Sequence, residues 1–218
     1  MIDVGRDTSV HAVENAQDNY DKKICLFSQK ELEKENPGKE DIYPVGTLCE
    51  VRHIRRFDNF LRVKFRGIKR VKLNNWINGS LSDLAEVEIL ESEKQDAVEE
   101  EALIADELDR MQGQDRFVTK EIVMEISKGM GGEFLSDKAV QGLPLDIERK
   151  QQYLETLGVN DRLMMLLQDM AKEKKMSEVE QQINETVKER IDQGQKDYYL
   201  REKMNVIREE LGDTVGQH

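Results

Sequence analysis

From Asn160 to Leu211 the chain contains no proline and one glycine, Gly194. Proline removes a helical donor and glycine loosens the backbone, so a run of about fifty residues almost free of both defaults to helix. The apolar residues agree. Leu163, Leu167, Met170, Val179, Ile183, Val187, Ile191, Tyr198, Ile207 and Leu211 fall mostly three or four apart, thinning near Lys172 and Lys175. A single helix of that length would extend about 75 Å, more than the width of a small domain. Its first turns can pack on a neighbouring bundle. The remainder carries a narrow apolar stripe that nothing else in the sequence is suited to cover, so the pattern predicts a partner.

The first 93 residues have a different period. After a short helix from Thr8 to about Asn19, with Asp7 or Thr8 as its cap, KKICLFSQ reads as a buried strand and QKELEKENPGKED as a charged loop. GTLCEVRHIRRF, NFLRVKFRG, IKRVKLNNW and LAEVEILE read as four further strands, the first two joined by a turn at Asp58-Asn59. Leu61, Val63 and Phe65 alternate with Arg62, Lys64 and Arg66, the signature of a sheet with one buried and one wet face. Adjacent short strands without intervening helices predict a small barrel or a strongly coiled sheet.

From Gln95 the period becomes helical. DAVEEEALIADELDRMQ and VTKEIVMEIS are expected helices, with the glycines of KGMGG ending the second. Ser136-Asp137 is the expected start of another. Pro144 breaks the path before DIERKQQYLETL, where Asp146 can cap and Gly158 closes. The fold class is therefore α+β, with a β-barrel-like sheet domain over residues 1–93, a helical subdomain over 94–159 and a very long helix over 160–218.

Charge and composition exclude several functions. Residues 1–93 carry 15 Lys and Arg against 17 Asp and Glu, and the rest of the chain 18 against 28, so most of the net charge of −12 lies in the helical part. Bulk acidity argues against nucleic acid as the main partner. With no apolar run near the roughly 18 to 20 residues that span a bilayer, and no signal segment, the chain is expected in the cytoplasm with no membrane partner. Cys25 and Cys49 sit in strand-like runs and read as small buried hydrophobes rather than a disulfide.

No motif supports catalysis. GMGGEF lacks the lysine and hydroxyl of a phosphate loop, and there is no H-E-x-x-H, C-x-x-C or G-x-S-x-G. No catalytic, cofactor-binding or metal-binding residue is assigned. The basic run between Arg52 and Lys72 holds nine Lys or Arg and one acid, with Phe57, Phe60 and Phe65 interleaved. Arg55, Arg56, Arg62, Lys64 and Arg66 are thus candidates for nucleic-acid contact. The alternation counters this, because it turns Phe65 to the opposite face and leaves the cations on a solvated one. Methionines suit both helical cores and adaptable surfaces, and Met165, Met170 and Met176 are the ones expected to be exposed.

Five segments, VGRDTSVHAVENA, NPGKEDIYPVGTLCEV, FRGIKRVKL, LPLDIERKQQYLETLGVNDRL and KDYYLREKMNVIREELGD, together resemble, in that order, the N-terminal region of the ATP-dependent Lon proteases. The resemblance covers nearly the whole chain. It implies a substrate-binding β domain, a helical subdomain and a linker helix leading to an AAA+ ATPase and a Ser-Lys peptidase, neither of which the sequence contains. It further implies a Leu/Pro-rich strand segment ahead of Asp3, absent here. ATP and Mg belong to that absent motor, and no cofactor to this region. The implied partners are unfolded or degron-bearing proteins and the other subunits of a homo-oligomeric ring, a hexamer in the full protein. Candidate contact residues are Phe57 and Phe60 at a hairpin tip, Met165, Met170 and Met176 on the long helix, and Tyr198 and Tyr199 near its end. Two rival readings are a nucleic-acid module using the basic face, with weak DNA binding, and a purely architectural coiled-coil spacer.

Overall fold

The computed structural model describes residues 1–93 and 131–210, with positions 98, 99, 102, 104, 106 and 124 between them. The two helices expected over DAVEEEALIADELDRMQ and VTKEIVMEIS, and Leu211, lie outside the described residues apart from those single positions. The chain divides into two compact units, Met1–Leu167 and Gln168–His218.

The first unit opens with a strand that the sequence reading missed, β1 (Ile2–Val4). Helix α1 (Asp7–Asn19) follows, then β2 (Lys23–Leu26), β3 (Val45–Arg56), β4 (Leu61–Ile77) and β5 (Leu84–Leu90). They form one antiparallel sheet in the order β1-β4-β3-β2, with β5 also against β4. Two strands expected on either side of Gly67 are thus a single one of 17 residues. What looked like a break is a bulge: Leu48 is opposite Lys69 and Cys49 opposite Gly67, so Ile68 is an extra residue. A bulge disrupts alternation without ending the strand, and adds twist.

Helix α1 lays Val13 and Ala16 on the sheet, and Val13, Val51, Leu61 and Val63 form a buried cluster edged by Val4, Val10, Ile24, Ile54 and Phe65. Each such aliphatic group contributes about 1.5–3 kcal/mol by leaving water. The helix starts one residue earlier than expected, with Arg6 in the cap position and no side-chain cap. Asp7 instead lies in the first turn, where its charge complements the helix dipole. The chain leaves α1 through Asp21 and Lys22, both in the left-handed region at φ 51° and 60°, with the Lys22 amide donating to Ala16 O at 2.9 Å.

Helix α2 (Gly132–Gly142) begins four residues before the expected Ser136, so Gly131 and Gly132 open a helix here. Helix α3 (Ile147–Glu155) has the expected cap, Asp146 accepting from the Arg149 amide at 2.7 Å. Gly158 starts rather than ends a helix. Its carbonyl accepts from the Arg162 amide at 3.1 Å in the first turn of α4 (Val159–Glu210), while Glu93 and the 157–159 link exchange backbone bonds. Leu135, Ala139, Val140, Leu143, Tyr153, Val159, Leu163 and Leu166 are buried.

In the second unit α4 continues to Glu210 as part of one helix of 52 residues, passing through Gly194. A Cβ added at Gly194 would meet nothing within 4 Å, so this glycine serves no packing need. No described helix is long and apolar enough to cross a membrane.

Candidate functional site

The β3–β4 hairpin gathers the first group of predicted residues. Its turn carries Asp58-Asn59 as expected, closed by the Phe57 amide donating to Phe60 O at 2.9 Å. The Phe57 and Phe60 rings stack at 4.7 Å between centroids and 12° between planes. Phe57 is 43% exposed and Phe60 half-buried. The Arg62 guanidinium is 5.4 Å from one centroid and 5.5 Å from the other. A cation capping one outer face would be much nearer one ring than the other, so Arg62 flanks the stack.

Arg62 is itself fixed by Asp3, its cross-strand neighbour on β1, through Nε to Oδ1 at 2.6 Å and Nη2 to Oδ2 at 2.8 Å. This bidentate bond holds the Asp3 carboxyl below its usual range and pushes the guanidinium up. The tip is thus a small apolar platform on a fixed hairpin, able to adsorb apolar side chains.

The basic face is less free than its sequence suggests. Arg56 pairs with Glu14 at 2.6 Å, Arg62 with Asp3, Lys69 with Glu91 at 2.7 Å and Arg52 with Glu50 at 3.3 Å; Arg66 reaches Glu50 only at 4.0 Å. Arg55 and Lys64 are exposed. Phe65 packs toward the core cluster, on the opposite face from Arg62, Lys64 and Arg66, as the alternation predicts. A sheet whose cations are mostly neutralised by carboxylates offers little to phosphates.

Of the helix residues, Met176 is 61% exposed and Tyr198 and Tyr199 are exposed, on a surface that also presents Val179, Ile183, Val187 and Ile191. Met165 is half-buried, its sulfur accepting from Thr156 Oγ1 at 3.7 Å. Met170 corrects the expectation: it is 1% exposed. It falls seven residues after Leu163 and four after Leu166, at the helical spacing of those buried residues.

The two most buried cations among the described residues were not among those expected from the sequence. Arg70, 7% exposed, binds Asp137, lies 3.6 Å from Glu133 and donates Nε to Leu154 O at 3.2 Å. Arg162 is 0% exposed and donates to Ser136 Oγ, to Thr156 O at 2.8 Å and to Ser92 Oγ, which in turn donates to Glu133 at 2.6 Å. Burial, and then the Arg70 charge, lower the Arg162 pKa. Gln151 adds a bond from Nε2 to Val45 O at 2.9 Å. Together they tie the helices of the first unit to its sheet. The signal was present: Arg162 shares the spacing of Val159, Leu163 and Leu166, which is a buried face.

Comparison with known proteins agrees with this architecture. Residues 1–172 match the family described as the ATP-dependent protease La (LON) substrate-binding domain. The Lon protease of Brevibacillus choshinensis is 33% identical over 220 residues, covering 99% of this chain and 28% of its own length. That of Escherichia coli strain K12 is 31% identical over 214 residues, covering 96% and 27%. The chain thus spans little more than a quarter of these relatives. The N-terminal domain of the Mycobacterium avium complex Lon protease shares the fold, with a TM-score of 0.59 at 22% identity over 78% of this chain and 89% of that one. A Lon N-terminal domain protein from Xanthomonas campestris does so at a TM-score of 0.52 and 16% identity, over 76% and 86%. The chain belongs to the Lon protease family and corresponds to the substrate-binding N-terminal part of its members.

Proposed function

We propose that this chain is the non-catalytic, substrate-recognising region of an ATP-dependent Lon serine protease that degrades misfolded and regulatory proteins in the cytoplasm. In this reading it holds unfolded or degron-bearing polypeptides at the sheet domain, and α4 organises a homo-oligomeric ring, a hexamer, above a motor that uses ATP and Mg. The observation that carries the reading is the match to the Lon substrate-binding domain across residues 1–172. The Phe57–Phe60 platform supports it physically. A protease feeder needs weak, adaptable contacts that accept many sequences and release each, and partly exposed aromatics at a hairpin tip provide them.

The test is binding of a fluorescent, permanently unfolded polypeptide at low and moderate salt, with single-stranded and duplex DNA as competitors. Saturable binding that survives salt and DNA is expected. Absence of polypeptide binding would leave α4 an architectural spacer, and salt-sensitive binding of DNA alone would transfer the function to the basic face.

A further inference from the structure

Behind the aromatic stack, the outer face of the β3–β4 hairpin carries two rows of basic side chains. Arg55 is opposite Arg62, and His53 is opposite Lys64. Alternation separates them from Ile54 and Val63, which belong to the core side of the same strands. β1 flanks the first row, with Asp3 opposite Arg62. Like charges directly opposite one another across a sheet repel. Asp3 offsets the charge of Arg62, but among the described residues neither Arg55 nor Lys64 forms an ion pair. Both are exposed, as is His53. Phe60 precedes Arg62 by two residues and shares its face, which is why the Arg62 guanidinium comes to 5.5 Å from the Phe60 centroid. The aromatic stack and the two basic rows are therefore one continuous surface.

We propose that this surface selects polypeptide segments in which an aromatic residue has acidic residues two and four positions away. The inference rests on the polypeptide-binding reading and names the substrate class of that same site. An extended segment rises about 3.3 Å per residue, as β4 does, and turns alternate side chains toward the sheet. With its aromatic ring on the Phe57–Phe60 stack, side chains two and four residues away reach the first row at about 7 Å and the second at about 13 Å. A carboxylate between Arg55 and Arg62 relieves their mutual repulsion, and a second one meets Lys64. Two unpaired cations match two carboxylates. They do not match a nucleic-acid strand, which carries a phosphate at every residue and whose binding grows with the number of cations engaged. The chain's net charge of −12 repels acidic segments elsewhere, so the preference is local to this face.

The probes are three short blocked peptides titrated into the full chain at low salt, with binding read from backbone amide chemical shifts. Each carries one phenylalanine in a serine–glycine background, with glutamate, glutamine or lysine two and four residues away on both sides. Saturable shifts centred on residues 53–64 are expected, with the glutamate peptide binding about fivefold more tightly than the glutamine peptide, because each exposed ion pair contributes little. The lysine peptide should bind most weakly. Arg55→Gln with Lys64→Gln should remove the preference without lowering the thermal midpoint, since it also removes like-charge contacts. Arg55→Glu with Lys64→Glu should turn the preference toward lysine, and Phe57→Ala should weaken all three peptides alike. Equal binding of the three peptides, a preference that survives both double variants, or a single-stranded oligothymidine that engages the same two cations more tightly than the glutamate peptide would overturn the proposal. If the permanently unfolded polypeptide still binds in those cases, the recognition reading stands without an acidic preference; if it too fails to bind, both fall.

Discussion

Arg162 Nε donates to Ser136 Oγ at 3.3 Å, joining the first turn of α4 to α2 with both residues fully buried. Among the described residues no carboxylate lies within 4.0 Å of the guanidinium, so its charge is spread over hydroxyl and carbonyl oxygens. Arg162→Met would keep much of the volume but leave Ser136, Ser92 and two carbonyls short of donors. The expected cost is about 3 kcal/mol. Arg162→Lys should fall between, because one ammonium cannot span the same acceptors. Urea midpoints measure both.

Arg70, its neighbour in this polar node, explains why the helical attachment was hard to read. Strict alternation along β4 gives no reason to bury a charge at position 70; the extra residue at Ile68 changes the phase, and the sequence marks that bulge only by Gly67. The α1–sheet core was legible because Val13, Leu61 and Val63 follow simple periods. β1 was not, since three residues carry too little pattern. At the site, the hairpin aromatics were legible from turn chemistry. Met170 follows its spacing from Leu163 and Leu166 rather than the surface role that its residue type suggests.

Cys49 is buried beside Ile24 in the β2–β3 register, whereas Cys25 is opposite Leu48 and so on the other face, which rules out a bridge between them. Burial pushes the Cys49 thiol up to about 11. Above the unfolded thiol's pKa the unfolded state loses a proton that the native state keeps, so stability is unaffected at neutral pH and falls as pH rises from about 9 toward 11. Cys49→Ala should flatten that decline. A thiol reagent at pH 8 should modify Cys49 only on unfolding.

The Phe57–Phe60 stack predicts a separable effect on binding. Phe57→Ala should weaken unfolded-polypeptide binding several-fold while lowering stability by about 1 kcal/mol or less, because the ring is partly exposed and loses mainly its stacking partner. Asp3→Asn removes the carboxylate that orients Arg62 and should act on stability only above the depressed Asp3 pKa. Its stability deficit against the parent should shrink as pH falls through that range, since protonation then removes the same charge from the parent. Melting curves at pH 7 and pH 3 resolve the sign.

Lys22 is in the left-handed region at φ 60°, where its Cβ crowds the following carbonyl. Lys22→Gly relieves that strain at a cost in unfolded-state entropy, and the net expectation is a gain of up to about 1 kcal/mol. Thermal denaturation of the single variant decides it. A loss instead would mean that the exposed lysine contributes something its position does not reveal.

The exposed stripe of α4 predicts how copies would meet. Met176, Val187 and Tyr198 repeat every eleven residues, with Val179, Ile183 and Ile191 between them. Eleven residues in three turns is slightly above the natural helical period, so paired helices following this stripe would lie nearly straight or cross with slight right-handed coiling. Ile183→Lys with Ile191→Lys charges the middle of the stripe. Lysine is a good helix former and both positions are exposed, so helicity by circular dichroism should be unchanged. The parent chain should sediment as a larger species as concentration rises and the double variant should remain monomeric. If the parent is monomeric at every concentration, ring organisation cannot originate in this helix and must come from another part of the protein.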